Sequence, residues 1–435
     1  MIEAESFAGR IRRGDCSVVV VGQGYVGLSV AAGAAVAGMT VHGVDRDPDR
    51  ISALTAGHNV VPGVDESTFL DAIDSGNLHF TTEVSVVGAA DIVLICVPTP
   101  VVEHRPDLSF IESAGRAVAQ HLQRGSLVIL ESTTFPGTTE DVLRPLLESH
   151  GLVAGRDFAL AYSPERIDPG NPKYGLRNTP RIVGGVDATS SHLGGAFYRM
   201  VVDDVEELSS CRAAEMAKLL ENTFRMVNIA LVNELATLCA SQGIDVWEVV
   251  RAAATKPFGF MPFYPGPGVG GHCIPLDPTY LSWQSRRDTG RPFRLVELAQ
   301  DINAQMPTYV ATRIVDTLND RGVTIRGARI LGLGVTYKPN VGDVRESAAI
   351  EVLALLRKRG ADVMYADPYV DRVEEHGLDL EAMPVDAELL ADVDCVALLT
   401  PHDAFDHAAV SAQARLVFDA RNALGRRHDD NVVAL

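Results

Sequence analysis

The chain has 435 residues, enough for two or three domains with well-buried cores. Its 57 Asp and Glu against 38 Lys and Arg leave a net charge of −19, a surface that repels nucleic acid and anionic membranes, so neither is expected as a partner. Six cysteines without paired or C-x-x-C spacing point to free thiols in a reducing cytoplasm, and an anionic small substrate stays compatible where local Lys, Arg or amide groups hold it.

Residues 1–15 are charged and carry no apolar core, so no secretory signal is expected. A β-branched run, Val18–Val21, leads into Gly22-Gln23-Gly24-Tyr25-Val26-Gly27 and an Ala-rich helix. From Cys16 to Val44 there is no Asp, Glu, Lys or Arg. Hydropathy alone would suit a membrane span, but the glycines and a second apolar strand argue against one. That strand, Val41–Val44, ends at Asp45, twenty-three residues after Gly22, where a dinucleotide fold needs an acid for the ribose hydroxyls. The pyrophosphate is expected at the helix N-terminus, on amides that Gly24 and Gly27 leave uncovered. Asp45 opposes a 2′-phosphate and favours NAD over NADP, while Arg46 works the other way.

Two further apolar runs, 91–100 and 126–134, end in Val97-Pro98-Thr99-Pro100 and Glu131-Ser132-Thr133-Thr134, as buried parallel strands do where they reach a ligand crevice. Strand-like segments 159–162 and 181–185 bracket Ser163-Pro164-Glu165-Arg166, and the first domain is expected to reach about residue 205. Residues 211–242 hold neither Gly nor Pro, which predicts one helix of roughly 48 Å. Its apolar residues cover more than one stripe, more surface than one domain would bury, and a homodimer built on this helix is expected. Glu215, Lys218, Asn222 and Arg225 share one face of it, which a solvated stripe would explain equally well.

The segment Gly270-Gly271-His272-Cys273-Ile274-Pro275-Leu276-Asp277 places a thiol after two glycines with a carboxylate four residues on. A lone cysteine is ordinarily a buried, inert one. The run Tyr264-Pro265-Gly266-Pro267-Gly268 just upstream argues for a nucleophile instead, since a core cysteine needs no such loop, and the glycines leave a substrate carbon room to approach. Near residue 327 a second α/β pattern starts: a strand and turn 328–334, a helix 347–359, and strands 362–366, 393–400 and 415–420. It has Gly332 and Gly334 but no full G-x-G-x-x-G, so it suits a nucleotide-sugar half-site, with Lys338 and Arg345 supplying local positive charge.

With its motifs in order (Gly22–Gly27, Val97–Pro100, Glu131–Thr133, Ser163–Arg166, Lys218–Asn222, Gly270–Cys273, Lys338-Pro339 and Asp343–Ser347), the chain resembles the nucleotide-diphospho-sugar 6-dehydrogenases over practically its whole length. The resemblance implies an α/β fold of two Rossmann-like, doubly wound parallel-sheet domains joined by a long central helix and a helical dimerisation region. Residues 1–205 would bind NAD, 206–310 would carry the cysteine loop and the dimer contact, and 311–435 would bind the nucleotide sugar. Carried over residue by residue, Cys273 is the nucleophile, with Lys218, Asn222, Asp277, Glu165 and Thr133 around it. Gly22, Gly24, Tyr25, Val26, Gly27, Asp45, Arg50, Pro98, Thr99, Thr133 and Arg345 would meet NAD. Glu165, Arg166, Lys218, Asn222, Phe263, Tyr264, Gly270 and Lys338 would meet the sugar nucleotide. No metal is implied. His272 and Leu276 replace the Ser and Lys common in UDP-glucose enzymes, and Ile167-Asp168-Pro169 follows Arg166 where those enzymes carry a second Glu.

The implied reaction oxidises a C6 hydroxymethyl to a carboxylate, removing four electrons, with Cys273 holding the aldehyde as a thiohemiacetal and then a thioester. Asp277, Glu165 or Thr133 would activate the hydrolytic water, and Lys218 with Asn222 would aim donors at the developing oxyanion. Motif style favours UDP-N-acetylglucosamine as substrate, with UDP-glucose or another nucleotide-linked glucose as the alternative and UDP-N-acetylmannosamine behind them. A two-electron hydroxy-acid dehydrogenase would need neither the thiol nor the region after residue 327. A non-catalytic nucleotide-sugar sensor could have lost Cys273, Lys218, Asn222 and Asp277, all of which are present.

Overall fold

The computed structural model describes residues 3–102, 105–168, 171, 173–271, 273–425 and 430–435, and of Cys273 the backbone. The chain divides into two compact units, residues 1–221 and 222–435.

The first unit opens with α1 (Ala4–Arg12), which buries Phe7, Ala8 and Ile11. Its strands are β1 (Ser17–Val21), β2 (Thr40–Val44), β3 (Leu78–Thr81), β4 (Ile92–Ile95), β5 (Leu127–Leu130), β6 (Ala159–Tyr162), β7 (Arg181–Gly185) and β8 (Val205–Leu208). They form one eight-stranded sheet in the order β8-β7-β6-β5-β4-β1-β2-β3. Between β1 and β2 runs α2 (Tyr25–Val36), which buries eight residues from Gly27 to Ala35. That burial explains why the segment carries no charge: both faces of the helix are covered by protein, and each Val or Leu so buried contributes roughly 1.5–3 kcal/mol relative to exposure. Among the described residues no helix is long and apolar enough to cross a membrane.

The sheet is parallel except at one seam. β7 pairs with β6 antiparallel, and β8 pairs with β7 in parallel. An antiparallel neighbour needs no crossover, so the chain leaves β6 and enters β7 at the same edge, the carboxyl ends of the parallel strands. The loop carrying Ser163–Arg166 therefore stays at the ligand crevice instead of crossing the sheet. α3 (Ala188–Val201) then packs on this end of the sheet, burying Phe197 and Tyr198. Strands β3 and β8 had no clear signal in the sequence, and β8 carries the sheet on to Leu208.

The division between the units falls within α4 (Cys211–Ser241), an unbroken helix of 31 residues. In the second unit Met226 and Ala230 of α4 pack with Val296 and Ala299. Next come α5 (Cys273–Thr289) and α6 (Arg294–Asp320), the latter supplying Val296 and Ala299. Five parallel strands follow: β9 (Arg329–Leu333), β10 (Asp362–Ala366), β11 (Cys395–Leu398), β12 (Val417–Asp419) and β13 (Val432–Ala434), ordered β10-β9-β11-β12-β13. After β9 comes α7 (Ala348–Lys358), which buries Ile350, Val352, Leu353 and Leu356 in the core of this unit. The expected strands at 393–400 and 415–420 prove shorter, and β13 was not foreseen.

Candidate active site

At the carboxyl end of β1 the three glycines of the turn do separate work. Gly22 adopts φ 97°, and a Cβ there would stand 2.4 Å from the Cys96 carbonyl. A Cβ on Gly27 would stand 1.9 Å from the Gly22 carbonyl, so helix and turn pack backbone to backbone. Gly24 caps α2 without a side chain, and nothing lies within 4 Å of where its Cβ would be. That open position, at the positive end of a helix, is a cradle for a pyrophosphate. Asp45 follows β2 and is 8 % exposed; its Oδ2 accepts from Gln23 N–H at 2.7 Å and from Arg50 Nη1 at 3.0 Å. Arg46, the residue that argued for a 2′-phosphate, lies over the Phe110 ring at 5.1 Å. Thr99 donates to the Thr133 carbonyl at 2.8 Å, tying the loop after β4, with Pro98, to the loop after β5. These residues of the first unit fit NAD.

Beside that crevice lies a buried polar cluster that sequence reasoning missed. Glu131 follows β5, Glu165 lies in the loop after β6 and Arg181 begins β7, so the antiparallel seam brings them together. Arg181 Nη2 lies 3.2 Å from Glu131 Oε2 and 3.3 Å from Glu165 Oε2, and Nη1 donates to the Pro164 carbonyl at 2.6 Å. Tyr198 donates to Glu131 Oε1, and the guanidinium stacks on its ring at 5.0 Å. Burial pushes Glu131 up to about 7 although Arg181 and Tyr198 oppose the shift. Burial also disfavours the charge of Arg181, but Glu131 and Glu165 outweigh it and keep the guanidinium protonated. Glu165 was a candidate from its motif and Glu131 stood inside one, but nothing in the sequence pointed to Arg181 or Tyr198 as their partners.

The polar face of α4 is not a solvated stripe. Glu215, Lys218 and Asn222 are buried, and only Arg225 is exposed. Lys218 Nζ donates to the Glu165 carbonyl at 2.5 Å. Glu215 accepts from Gly137 N–H, Thr139 N–H and Thr139 Oγ1 at 2.6, 2.9 and 2.7 Å, anchoring the chain that follows Thr133. Arg166 pairs with Glu221 at 2.8 Å.

In the second unit Asn222 Nδ2 donates to Asp277 Oδ2 at 2.6 Å, and both residues are nearly closed to water. Asp277 lies on α5, which begins at Cys273, so the two residues are one helical turn apart. Pro169, Gly170, His272 and the Cys273 side chain lie outside the described residues. The paired glycines serve a different purpose from the one expected. A Cβ on Gly270 would meet the Glu346 carbonyl at 2.6 Å, and one on Gly271 would meet the Tyr337 ring at 2.8 Å. The space they leave is filled by the loop 337–346, and Gly271 N–H donates to the Arg345 carbonyl at 3.0 Å. Arg345 itself pairs with Asp343 at 2.6 Å, which offsets the positive charge expected of it. Phe263 meets Phe224 edge-on at 5.7 Å and Tyr264 stacks on Trp247 at 6.0 Å.

Half-buried Lys338 follows the turn after β9. Near that turn a small cleft is lined by Gly268, Gly270, Thr336, Tyr337, Thr400 and Arg421. Arg421, which follows β12, donates through Nε to the Leu399 carbonyl at 3.3 Å, and burial lowers its pKa to about 10. Among the described residues no carboxylate pairs with it, so it suits an anionic ligand. No motif or spacing singles it out in the sequence.

Residues 16–202 match the NAD binding domain of the UDP-glucose/GDP-mannose dehydrogenase family, 212–305 its central domain and 331–426 its UDP binding domain. The chain belongs to that family. It is 35 % identical over 414 residues to a UDP-N-acetyl-D-mannosamine dehydrogenase of Pyrococcus horikoshii, covering 94 % of this chain and 96 % of that one. It is likewise 35 % identical over 397 residues to a UDP-N-acetyl-D-glucosamine 6-dehydrogenase of Pseudomonas aeruginosa, covering 90 % and 92 %. A solved structure of the Pyrococcus horikoshii UDP-D-ManNAc dehydrogenase superposes with a TM-score of 0.86 at 32 % identity, over 96 % of this chain and 98 % of that one. The protein is therefore an NAD-dependent nucleotide-sugar 6-dehydrogenase with two Rossmann-like domains.

Proposed function

We propose that this dehydrogenase carries a UDP-N-acetylhexosamine through two successive oxidations at C6, to the uronic acid, on Cys273. The observation that carries the reading is the start of α5 at Cys273, with Asp277 one turn on and bonded to Asn222. A thiol at a helix N-terminus is favoured as thiolate. NAD, when bound, accepts hydride from C6, two molecules for each sugar. Between the two oxidations the Cys273 sulfur adds to the aldehyde carbon, so the intermediate stays attached and cannot diffuse away. Lys218 and Asn222, one turn apart on α4, supply an ammonium and an amide to the oxygen that becomes negative. A water hydrolyses the thioester, its proton passing to a carboxylate; Asp277 is the choice here, because it stands four residues from Cys273 on α5, while Glu165 belongs to the Arg181 cluster of the first unit. Thr133 lies in the NAD crevice, beside the loop of Pro98 and Thr99.

The three segments 1–205, 206–310 and 311–435 would bind NAD, present the cysteine and bind the nucleotide sugar, a division supported by the three family matches. On the substrate side Lys338 would meet the diphosphate, Arg421 would add a second positive charge, and Arg166, Phe263, Tyr264 and Gly270 would line the rest. Arg345 would stand near NAD. Relatives named for both C2 epimers match equally well, so UDP-N-acetylmannosamine belongs beside UDP-N-acetylglucosamine as first substrate. A homodimer on α4 is supported by exposed Met216, Leu220, Phe224, Leu231 and Leu238, spaced so that they share one side of the helix. Five free, buried cysteines fit the reducing cytoplasm.

The test is stoichiometric. Purified protein is given limiting UDP-N-acetylglucosamine, UDP-N-acetylmannosamine or UDP-glucose, and NADH and the sugar product are counted. Two NADH and one uronic acid per acetamido sugar are expected; one NADH with free aldehyde would overturn the thioester scheme, and a preference for UDP-glucose would overturn the choice of sugar. Cys273→Ala should abolish acid formation while NAD binding persists.

A further inference from the structure

The two Rossmann-like sheets are entered through the same turn. In the first, Gly22 N–H donates to the Val44 carbonyl at 2.7 Å and the next amide, Gln23 N–H, donates to Asp45 Oδ2 at 2.7 Å. In the second, Gly334 N–H donates to the Ala366 carbonyl at 2.9 Å and the next amide, Val335 N–H, donates to Asp367 Oδ2 at 2.8 Å. Gly334 has φ 78°, and a Cβ there would strike the Thr400 carbonyl at 2.1 Å, as one on Gly22 would strike that of Cys96. Asp367 thus follows β10 as Asp45 follows β2, the position from which a carboxylate reads a ribose in a dinucleotide site.

What faces the two carboxylates differs. The further partner of Asp45 Oδ2 is Arg50, whose side chain is 36 % exposed. The further partner of Asp367 Oδ2 is His402, fully buried, with Nε2 at 3.0 Å. Oδ1 is filled alike in both, by Asp47 N–H at 3.0 Å on Asp45 and by Tyr369 N–H at 2.8 Å on Asp367, so the difference lies at Oδ2. His402 Nδ1 accepts from Asn340 N–H at 3.0 Å, so Nδ1 carries no proton and Nε2 is the donor to Asp367. The rings of Tyr369 and Phe405 enclose the imidazole at 5.1 and 5.6 Å. His402 therefore occupies Asp367 Oδ2 from a closed position, where Asp45 Oδ2 meets a partly exposed side chain.

The same ring pins the turn that carries Lys338. Thr336 Oγ1 lies 3.2 Å from His402 Nε2 and donates to the Lys338 carbonyl at 2.9 Å. Asn340, at φ 63°, closes the far end by a two-way bond with exposed Asp403, at 2.8 and 3.0 Å. The backbone on both sides of Lys338 is thus tied to the segment after β11.

We infer that His402 is the positioning residue of the UDP-sugar domain: it occupies Asp367 Oδ2 and fixes the Thr336–Asn340 turn so that Lys338 meets the substrate diphosphate. This rests on the reading that Lys338 contacts the diphosphate. The interaction lies in binding, so its loss should appear in KM and not in turnover.

Two variants test it. His402→Asn removes the ring, and Asp403→Ala loosens only the outer end of the turn from an exposed position, so it keeps the test alive if the first variant fails to fold. With folding checked by thermal melting, His402→Asn should raise the KM for the nucleotide sugar about tenfold or more and Asp403→Ala a few-fold, with kcat and the KM for NAD within about twofold of wild type. Calorimetric titration with UDP should show the same order of affinity loss. Unchanged KM and UDP affinity in every folded variant would overturn the inference, as would an equal rise in the KM for NAD. If the wild type binds UDP but turns over no UDP-sugar, the substrate reading fails instead, and UDP affinity alone decides the role of His402.

Discussion

Arg181 and Glu131 form an ion pair at 3.2 Å that is almost wholly closed to water, with Glu165 as the second carboxylate on the same guanidinium nitrogen. Two carboxylates share one guanidinium in a dry site, and desolvation raises Glu131 from its ordinary 4.5 to about 7. Between those values the folded protein binds more protons than the unfolded chain, so this contribution to stability is fully present below 4.5 and is lost as pH rises through 7. Glu215, raised to about 7 first of all by burial, acts in the same direction. Glu131→Gln should flatten its share of the slope, at most about 3 kcal/mol. Urea unfolding followed from pH 5 to 8 measures it; a variant with the wild-type slope would show that Glu131 does not titrate in that range.

Lys218 reaches the Glu165 carbonyl from α4, and its ammonium is proposed to meet charge that develops only along the reaction. Lys218→Ala should therefore lower kcat by about 100-fold or more while the KM for the sugar nucleotide shifts only a few-fold. An unchanged kcat with a raised KM would make it a binding residue.

Asp45 stands at the ribose position with the partly exposed Arg50 as its partner. The wild type should prefer NAD, and Asp45→Ala should narrow the NAD over NADP ratio of kcat/KM by on the order of tenfold, since the variant no longer repels a 2′-phosphate. Equal use of both cofactors by the wild type would mean that Arg46, despite its stacking on Phe110, outweighs the carboxylate.

Leu220 and Leu231 are 64 % and 61 % exposed on α4. Arginine at both positions should leave the thermal transition of a dilute sample little changed yet shift sedimentation at micromolar concentration from dimer to monomer, because two desolvated charges at such an interface cost several kcal/mol. If the wild type already sediments as a monomer, α4 is not the dimer contact.

What was legible in the sequence alone was local. The β1–Gly22–α2–β2–Asp45 unit announces itself because strand periodicity, turn glycines and the terminal acid all act within thirty residues, and α4 does so through an unbroken run of helix formers. The motifs named the NAD domain and the candidate residues Lys218, Asn222, Cys273 and Asp277 in the same way. What tertiary structure alone decided is which distant side chains meet. Arg181 is fifty residues from Glu131, and it reaches the crevice only because β7 runs antiparallel to β6. His402 closes on Asp367 from thirty-five residues away, where no spacing could announce it. Gly270 and Gly271 read in sequence as room for a substrate; in the fold they are room for Tyr337 and Glu346. Helix and turn preferences depend on neighbours in the chain, whereas the cost of burying a charge depends on whatever the fold sets against it, and that partner is assigned only when the strands take their order.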